Sequence, residues 1–362
     1  MTGDTDAHLA SLQAALGPVA PLLRHPEVTD VLINGDDGVW VDRGQGVEPA
    51  GVPLSDERTV RRLAVRLAAL SGARLDDASP WVDGLLPGGV RLHAVLPPLV
   101  GGGAHISLRL RRTQAPSLGE LRRWGALDEV ADRVVRAVVA TRRSFLVTGG
   151  TGSGKTTLLA AMLAEVAALE RMVVVEDVRE LMVAHPHVVY LQGRTNNVEG
   201  RGEVTLTTLV RQSLRMRPDR VVVGEVRGAE VRELLSALNT GHEGGCGTVH
   251  ANAASEVVSR MEALGALASM SPAAVHAQLC SAVQVVLHVA RVQDGRRRLT
   301  EVALVRRSSS GEAVTVTGLR RESGRWVAGP GWPDLARQLS IDTDMPVESG
   351  GQSRQATTGG SP

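Results

Sequence analysis

GGTGSGKTT, residues 149–157, follows an apolar run, SFLVT (144–148), and precedes a helix-forming run that opens at Lys155. The pattern GxxxxGK[ST] is met by Gly149, Gly154, Lys155 and Thr156. Strand, glycine-rich loop and helix in that order form a phosphate cradle. The glycines let successive backbone N–H groups turn inward around a phosphate, and the helix N-terminus adds partial positive charge. Gly149, Gly150, Thr151, Gly152, Ser153, Gly154, Lys155, Thr156 and Thr157 are therefore the expected nucleotide-binding residues. Lys155 bridges β- and γ-phosphate oxygens, and the Thr156 hydroxyl is the expected Mg²⁺ ligand. ATP and Mg²⁺ are the cofactors this motif implies.

Composition sharpens the reading of Lys155. Of the 40 basic residues, 39 are arginine and Lys155 is the only lysine. Arginine stands wherever a positive charge suffices, a bias expected of a GC-rich bacterial genome. The phosphate loop keeps the compact ammonium that fits between phosphate oxygens, where a planar guanidinium would clash. The 362 residues suffice for two domains, and 43% hydrophobic content supplies a core without disulfides or metals. Net charge is +1, so charge leaves no overall footprint for nucleic acid or an anionic membrane. Cys246 and Cys280 lack ligand spacing, and no apolar run approaches the ~18 residues that span a bilayer. The N-terminus, with Thr2, Asp4 and Asp6, lacks a signal pattern. The expected location is cytoplasmic, at most peripheral to the cell membrane.

Upstream, residues 8–24 read as an amphipathic helix broken at Gly17-Pro18, a helical extension over 1–25. Short strands follow at VTDVLING and VWVD, separated by Asp36-Asp37-Gly38. Residues 56–72 read as a helix with Ser55 as N-cap and Gly72 at its end. Two further strands, at GVRLHAVLP and AHISLRL, complete a small α/β domain over 26–113. Residues 114–117 are a linker, and helical segments run to Ala140. From SFLVT onward strand and helix alternate: a helix from Lys155 to about Leu169, strands MVVVE and VVYL, helix TLTTLVRQSLRM, strand RVVVG, helix EVRELLSAL, strand CGTVH. Such alternation predicts a mostly parallel sheet with helices on both faces, spanning 118–340. The Gly/Ser/Thr/Gln-rich residues 341–362 are expected to be disordered.

Which nucleotide chemistry follows depends on what else lies at the strand ends. No NKxD motif argues for a GTPase, and Leu70-Ser71-Gly72, which resembles a transporter signature, lies upstream of the phosphate loop. MVVVEDVREL puts Glu176 and Asp177 at a strand's carboxyl end, where open α/β sheets bind ligands. RMRPDRVVVGEVRG puts Glu225 at another, suited to orienting the attacking water. Gly224 stands where an aspartate would precede it, so Thr156, phosphates and water are left to hold Mg²⁺. NTGHEGGCGTVHAN supplies His242 and His250 around a Gly-rich turn suited to sensing the γ-phosphate.

The order of these segments resembles the type II/type IV secretion ATPases, specifically the Tad (CpaF-like) pilus-assembly branch. The resemblance rests on GGTGSGKTT, VVEDVREL, LRMRPDRVVVGEVRG, TGHEGGCGTVHAN and the N-terminal VTDVLING, GVRLHAVLPP and SLRL, over roughly residues 25–305. It implies a RecA-like P-loop NTPase C-terminal domain under a small α/β N-terminal domain, with nucleotide between them and the linker as hinge. It further implies a homohexamer acting on an inner-membrane platform protein and, indirectly, on pilin-like substrates. By the same resemblance Glu176 is the acidic-box carboxylate, holding Mg²⁺ through water. Glu225 is the catalytic glutamate and His250 the histidine-box residue. Arg91 and Arg109 are the arginines that reach the γ-phosphate. Arg211, Arg217 and Arg227 are candidates to contact the nucleotide or a neighbouring subunit. Two rivals stay open. One is a hexameric nucleic-acid translocase of a conjugal transfer system, supported by LRLRR (108–112) and opposed by the lack of stacking aromatics that makes nucleic acid an unfavoured partner. The other is a scaffold that binds ATP without hydrolysing it.

Overall fold

The computed structural model describes residues 12–349, apart from residues 13, 26–27, 44–45, 54–55, 111–114, 195–201, 242, 293 and 343–347. Its chain forms two compact units, Met1–Thr113 and Gln114–Pro362.

The first unit is built on a six-stranded antiparallel sheet of β1 (Asp30–Asn34), β2 (Val39–Asp42), β3 (Val47–Pro49), β4 (Trp81–Leu85), β5 (Arg91–Val95) and β6 (His105–Arg109), ordered β3-β2-β1-β6-β5-β4. Strict alternation sends Val31, Ile33, Val41, Leu92, Ala94, Ile106 and Leu108 to one buried face. There they share a core with Val60, Leu63, Ala64 and Leu67 of helix Glu57–Leu70. That helix is capped by Asp56, whose side chain accepts from Thr59 N at 2.7 Å. Ser55, the expected cap, lies outside the described residues, and the helix begins one residue later than expected. Asp56 wins because its carboxylate both reaches an orphan N–H and faces the positive helix end. Gly72 follows the helix at φ +75°. Two strands were not foreseen. β3 holds only exposed residues, and β4 turns Trp81 and Leu85 outward, so neither shows a clean apolar alternation. At the amino end the expected helix tightens to a 3₁₀ turn at Gly17–Val19 before Ala20–Arg24.

The second unit carries a ten-stranded sheet: β7 (Phe145–Thr148), β8 (Met172–Glu176), β9 (Val188–Gln192), β10 (Arg220–Val226), β11 (Cys246–Val249), β12 (Val285–Arg291), β13 (Arg297–Arg307), β14 (Ala313–Glu322), β15 (Arg325–Ala328) and β16 (Glu348–Ser349). The order is β16-β15-β14-β13-β12-β7-β11-β10-β8-β9. From β12 to β9 all neighbours are parallel, and the near-continuous apolar runs of β7, β8, β10 and β12 are buried on both faces. Phe145 and Val147 join a core with helices Glu129–Ala140 and Lys155–Leu163. Leu146, between them, joins the opposite core with helices Glu230–Asn239 and Val257–Leu267. Beyond β12 the sheet continues as an antiparallel meander, β13 to β15, which the alternating pattern did not anticipate.

Three expectations need correction here. The helix opening at Lys155 ends at Leu163 rather than near Leu169. Its chain turns away so that Glu170 pairs with the fully buried Arg220 at 2.8 Å. The segment TLTTLVRQSLRM is helical only over Leu206–Ser213 and closes as a 3₁₀ turn that ends at Arg217, φ +53°, just before Pro218. Within the tail expected to be disordered, Glu348 and Ser349 pair in parallel with Val327 and Ala328. Residues 343–347 and 350–362 lie outside the described residues.

Candidate functional site

Parallel strands all end at the same edge, and the sheet register fixes what collects there. Thr148, Val249 and Val226 stand side by side on β7, β11 and β10. Gly149, His250 and Glu225 are their chain neighbours, so three of the sequence candidates leave or meet the sheet at one level. Glu176, the last residue of β8, belongs to the same edge.

The loop from Gly149 to Gly154 is shaped by its glycines. A Cβ at Gly149 would lie 2.2 Å from the Val289 carbonyl oxygen, so the loop can leave β7 this close to β12 only without a side chain. Gly154, at φ +97°, caps helix Lys155–Leu163 in the left-handed region that side chains disfavour. The first turn of that helix has no intrahelical acceptor for its N–H groups, which leaves them available to an anion. Lys155 Nζ donates to the carbonyls of Gly149 and Gly150, both at 3.0 Å, and the residue is only 8% exposed. Burial pushes its pKa below the usual lysine value, while the Glu225 carboxylate opposes that shift. Ser153 Oγ is buried and has no hydrogen-bond partner among the described residues. An ammonium held at the loop mouth and an orphaned hydroxyl within it fit a polyphosphate, whose oxygens accept from both.

Opposite the loop, Glu176 is buried and its Oε1 accepts from the N–H groups of Glu180 (3.0 Å) and Leu181 (2.9 Å). The place of the missing aspartate is explained here. A Cβ at Gly224 would lie 2.5 Å from Glu176 Cγ and 2.8 Å from its Oε1. The β8 carboxylate fills the space that a β10 side chain would need. Glu225 is half-buried and ion-paired with Arg227, whose guanidinium also feels Glu180 and Asp177 and is held charged by them. Among the described residues no group of three His, Cys, Asp or Glu is placed to hold a metal ion unaided. The oxygen donors proposed for Mg²⁺ are the Thr156 hydroxyl, phosphate oxygens and water, with Glu176 behind the water.

His250 follows β11 at this edge and is half-buried. His242 lies outside the described residues. Its neighbours Glu243 and Gly244 sit at the other end of β11, where their carbonyls accept from Arg142 and Arg220. Arg217 precedes β10 and likewise falls at the edge away from the phosphate loop. Arg211 is paired with Glu233 at 2.6 Å. In the first unit, Arg91 and Arg109 stand directly opposite each other on β5 and β6. Arg109 is exposed and pairs with Asp30 at 3.1 Å.

Among the buried polar residues that the sequence reading did not single out, His288 lies at this edge. His288, inside the apolar run VVLHVA of β12, faces Thr148 with Nδ1 3.0 Å from Oγ1. Its signal was a single imidazole in an otherwise apolar strand. Burial lowers its pKa below 6.5, and Lys155 adds to that, while Glu301, Glu256 and backbone hydrogen bonding with Asn252 pull it partly back. A histidine depressed in the folded state takes up its proton first in the unfolded chain, so its contribution is intact above 6.5 and is lost as pH falls below it. The thermal midpoint is expected to fall more steeply between about pH 6.5 and pH 5 in the parent than in His288→Gln. Equal slopes in calorimetry would remove His288 from that role. By contrast Cys246, whose thiol burial pushes up to about 12, is an inert core residue.

The family of type II/IV secretion system proteins matches residues 13–324. The chain belongs to that family. Relatives of this secretion-family chain include a Mycobacterium tuberculosis protein named "Putative conjugal transfer protein", 54% identical over 351 residues, 94% of this chain and 97% of the other. Conjugal transfer protein TrbB of Rhizobium radiobacter is 33% identical over 294 residues, covering 79% and 87%. The crystal structure of the pilus retraction motor PilT with bound ADP superposes with a TM-score of 0.52 at 21% identity, covering 80% of this chain and 78% of that one. That likeness shows the fold alone, an N-terminal α/β unit followed by a P-loop unit. Among the described residues of this secretion-family chain, no helix is long and apolar enough to cross a membrane.

Proposed function

We propose that this chain hydrolyses ATP and spends the resulting conformational change on a type II/IV secretion machine. The observation that carries the reading is the convergence of Lys155, Glu225 and Glu176 on one strand edge beside a glycine loop with an unpartnered buried hydroxyl. Lys155 binds and orients the outer phosphates, Glu225 takes the proton of the attacking water, and His250 senses the γ-phosphate. Mg²⁺, when bound, neutralises charge on the phosphate oxygens. Arg91 and Arg109 are proposed to add guanidinium charge to the same phosphates. The working form is a homohexamer at the inner face of the cell membrane, driving an inner-membrane platform protein and, through it, pilin-like substrates in the manner of Tad systems. The motif order from VTDVLING to TGHEGGCGTVHAN supports that assignment.

Glu225→Gln separates binding from chemistry. The amide keeps the shape but accepts no proton, so turnover is expected to fall at least ~100-fold with ATP affinity kept within about threefold. Phosphate release and equilibrium ATP binding measure the two. Undiminished turnover would take Glu225 out of the mechanism.

The names of the relatives favour a second reading, in which the machine served is a conjugal transfer system. ATPase rate with and without single-stranded DNA discriminates a direct translocase. Strong stimulation that fades with salt is its signature. No response at any salt leaves the DNA, if any, to another component.

A further inference from the structure

One row of the sheet links groups that the ATPase site uses separately. Across β12, β7 and β11, residues His288, Thr148 and Val249 are in register. Thr148 is the last residue before Gly149, and Val249 the last before His250. The His288 ring reaches both exits. Its Nδ1 meets Thr148 Oγ1 at 3.0 Å, and it has backbone hydrogen bonding with Asn252, two residues past His250. Asn252 is in turn fixed by its N–H, which donates to Glu256 Oε2 at 3.0 Å. The ring's own strand is held by Thr300 Oγ1, which donates to the His288 carbonyl at 3.2 Å, and the next residue, Val289, packs its carbonyl beneath Gly149. His288 and Thr148 are 6% and 0% exposed. Burying an imidazole among valines and leucines is unfavourable unless its nitrogens are satisfied. Here both partners belong to segments that carry the phosphate loop and the histidine box.

We propose that His288 is a positioning residue of the ATPase site, fastening the root of the phosphate loop to the segment that leaves the histidine box so that Gly149 and His250 keep one fixed relation. The ring touches neither nucleotide nor the attacking water. It acts through Thr148 on one side and Asn252 on the other. An apolar side chain of similar volume would fill the space but leave Thr148 Oγ1 buried without a partner, and the two exits free to move apart.

The inference rests on the ATPase reading, and its test separates the two. His288→Leu, His288→Gln and each of these in a His250→Ala background are compared with the parent. For His288→Leu, kcat is expected to fall about tenfold with the KM for ATP within about threefold. His288→Gln, whose amide can bond Thr148, should recover most of that loss. In the His250→Ala background, His288→Leu should add less than about twofold, because the path it serves is already cut. Independent, multiplying effects would overturn the proposal. A second measurement needs no catalysis. Hydrogen exchange in nucleotide-free protein should quicken at both 148–150 and 250–252 in His288→Leu, but not in His288→Gln. Quickening confined to β12 would overturn the tie by itself. A parent protein that hydrolyses no ATP would sink the ATPase reading, while the exchange experiment would still decide the role of His288.

Discussion

Lys155→Ala is expected to lower ATP turnover at least ~100-fold and to abolish the nucleotide-induced rise in thermal midpoint, while leaving the nucleotide-free protein as stable as its parent. The first part follows from position. The ammonium sits at the mouth of the loop, 3.0 Å from the carbonyls of Gly149 and Gly150, and the chain has no second lysine to take its place. The second part follows from its electrostatics. Burial holds the Lys155 pKa below 10.5, so the folded protein releases this proton more readily than the unfolded chain does. Nucleotide-free stability therefore rises with pH through the window between the depressed value and 10.5, and at neutral pH the charged group opposes folding. Removing it relieves that cost and loses the packing of its aliphatic stem, two effects of opposite sign. Bound phosphates reverse the balance by supplying the missing counter-charge. Lys155→Arg is expected to remain nearly inactive, since a guanidinium is too broad for the same place. Calorimetry with and without ATP measures both halves. Parental turnover, or a large loss of nucleotide-free stability, would each contradict the account.

How much of this could be read without coordinates depended on the range of the interaction. The phosphate loop is local: strand, turn and helix are contiguous, and Gly149, Gly154 and Lys155 declare themselves by spacing. The parallel core was legible because both-face burial leaves unbroken runs such as MVVVE and RVVVG. Alternation over 285–328 was masked by the charged runs RRRL and LRRE, in which the largely buried Arg298 and Arg321 stand beside exposed neighbours, so β13 to β15 went unread. His288 and the fit of Glu176 over Gly224 depend on residues tens to more than a hundred positions apart, and no periodicity reports such a contact.

Gly224→Ala is the second large effect, and it tests why this glycine stands where an aspartate was expected. The added methyl would lie 2.5 Å from Glu176 Cγ, closer than real Cβ atoms come, and a tight 3.0 Å from its Cδ. Glu176 cannot simply swing aside. Its Oε1 holds the N–H groups of Glu180 and Leu181, and the side chain is 5% exposed, so displacing it would leave a carboxylate and two donors poorly matched in a buried place. β10 cannot retreat either, because Gly224 O accepts from Thr248 Oγ1 at 2.7 Å and β10 is paired with β8 and β11 on its two sides. Overpacking of this kind costs about 1–3 kcal/mol of stability. The functional loss should be larger in proportion, because the carboxylate proposed to hold the Mg²⁺ water is the group that moves. Displaced outer ligands of this kind cost about 10–100-fold in metal affinity or activity. The expected result is a raised Mg²⁺ requirement with ATP binding in the absence of Mg²⁺ unchanged. Glu176→Ala supplies the internal comparison: with the carboxylate gone the clash is gone, so Gly224→Ala should add little to it. If Gly224→Ala alone kept the parental Mg²⁺ dependence and rate, the acidic box would have to act through some other residue than Glu176.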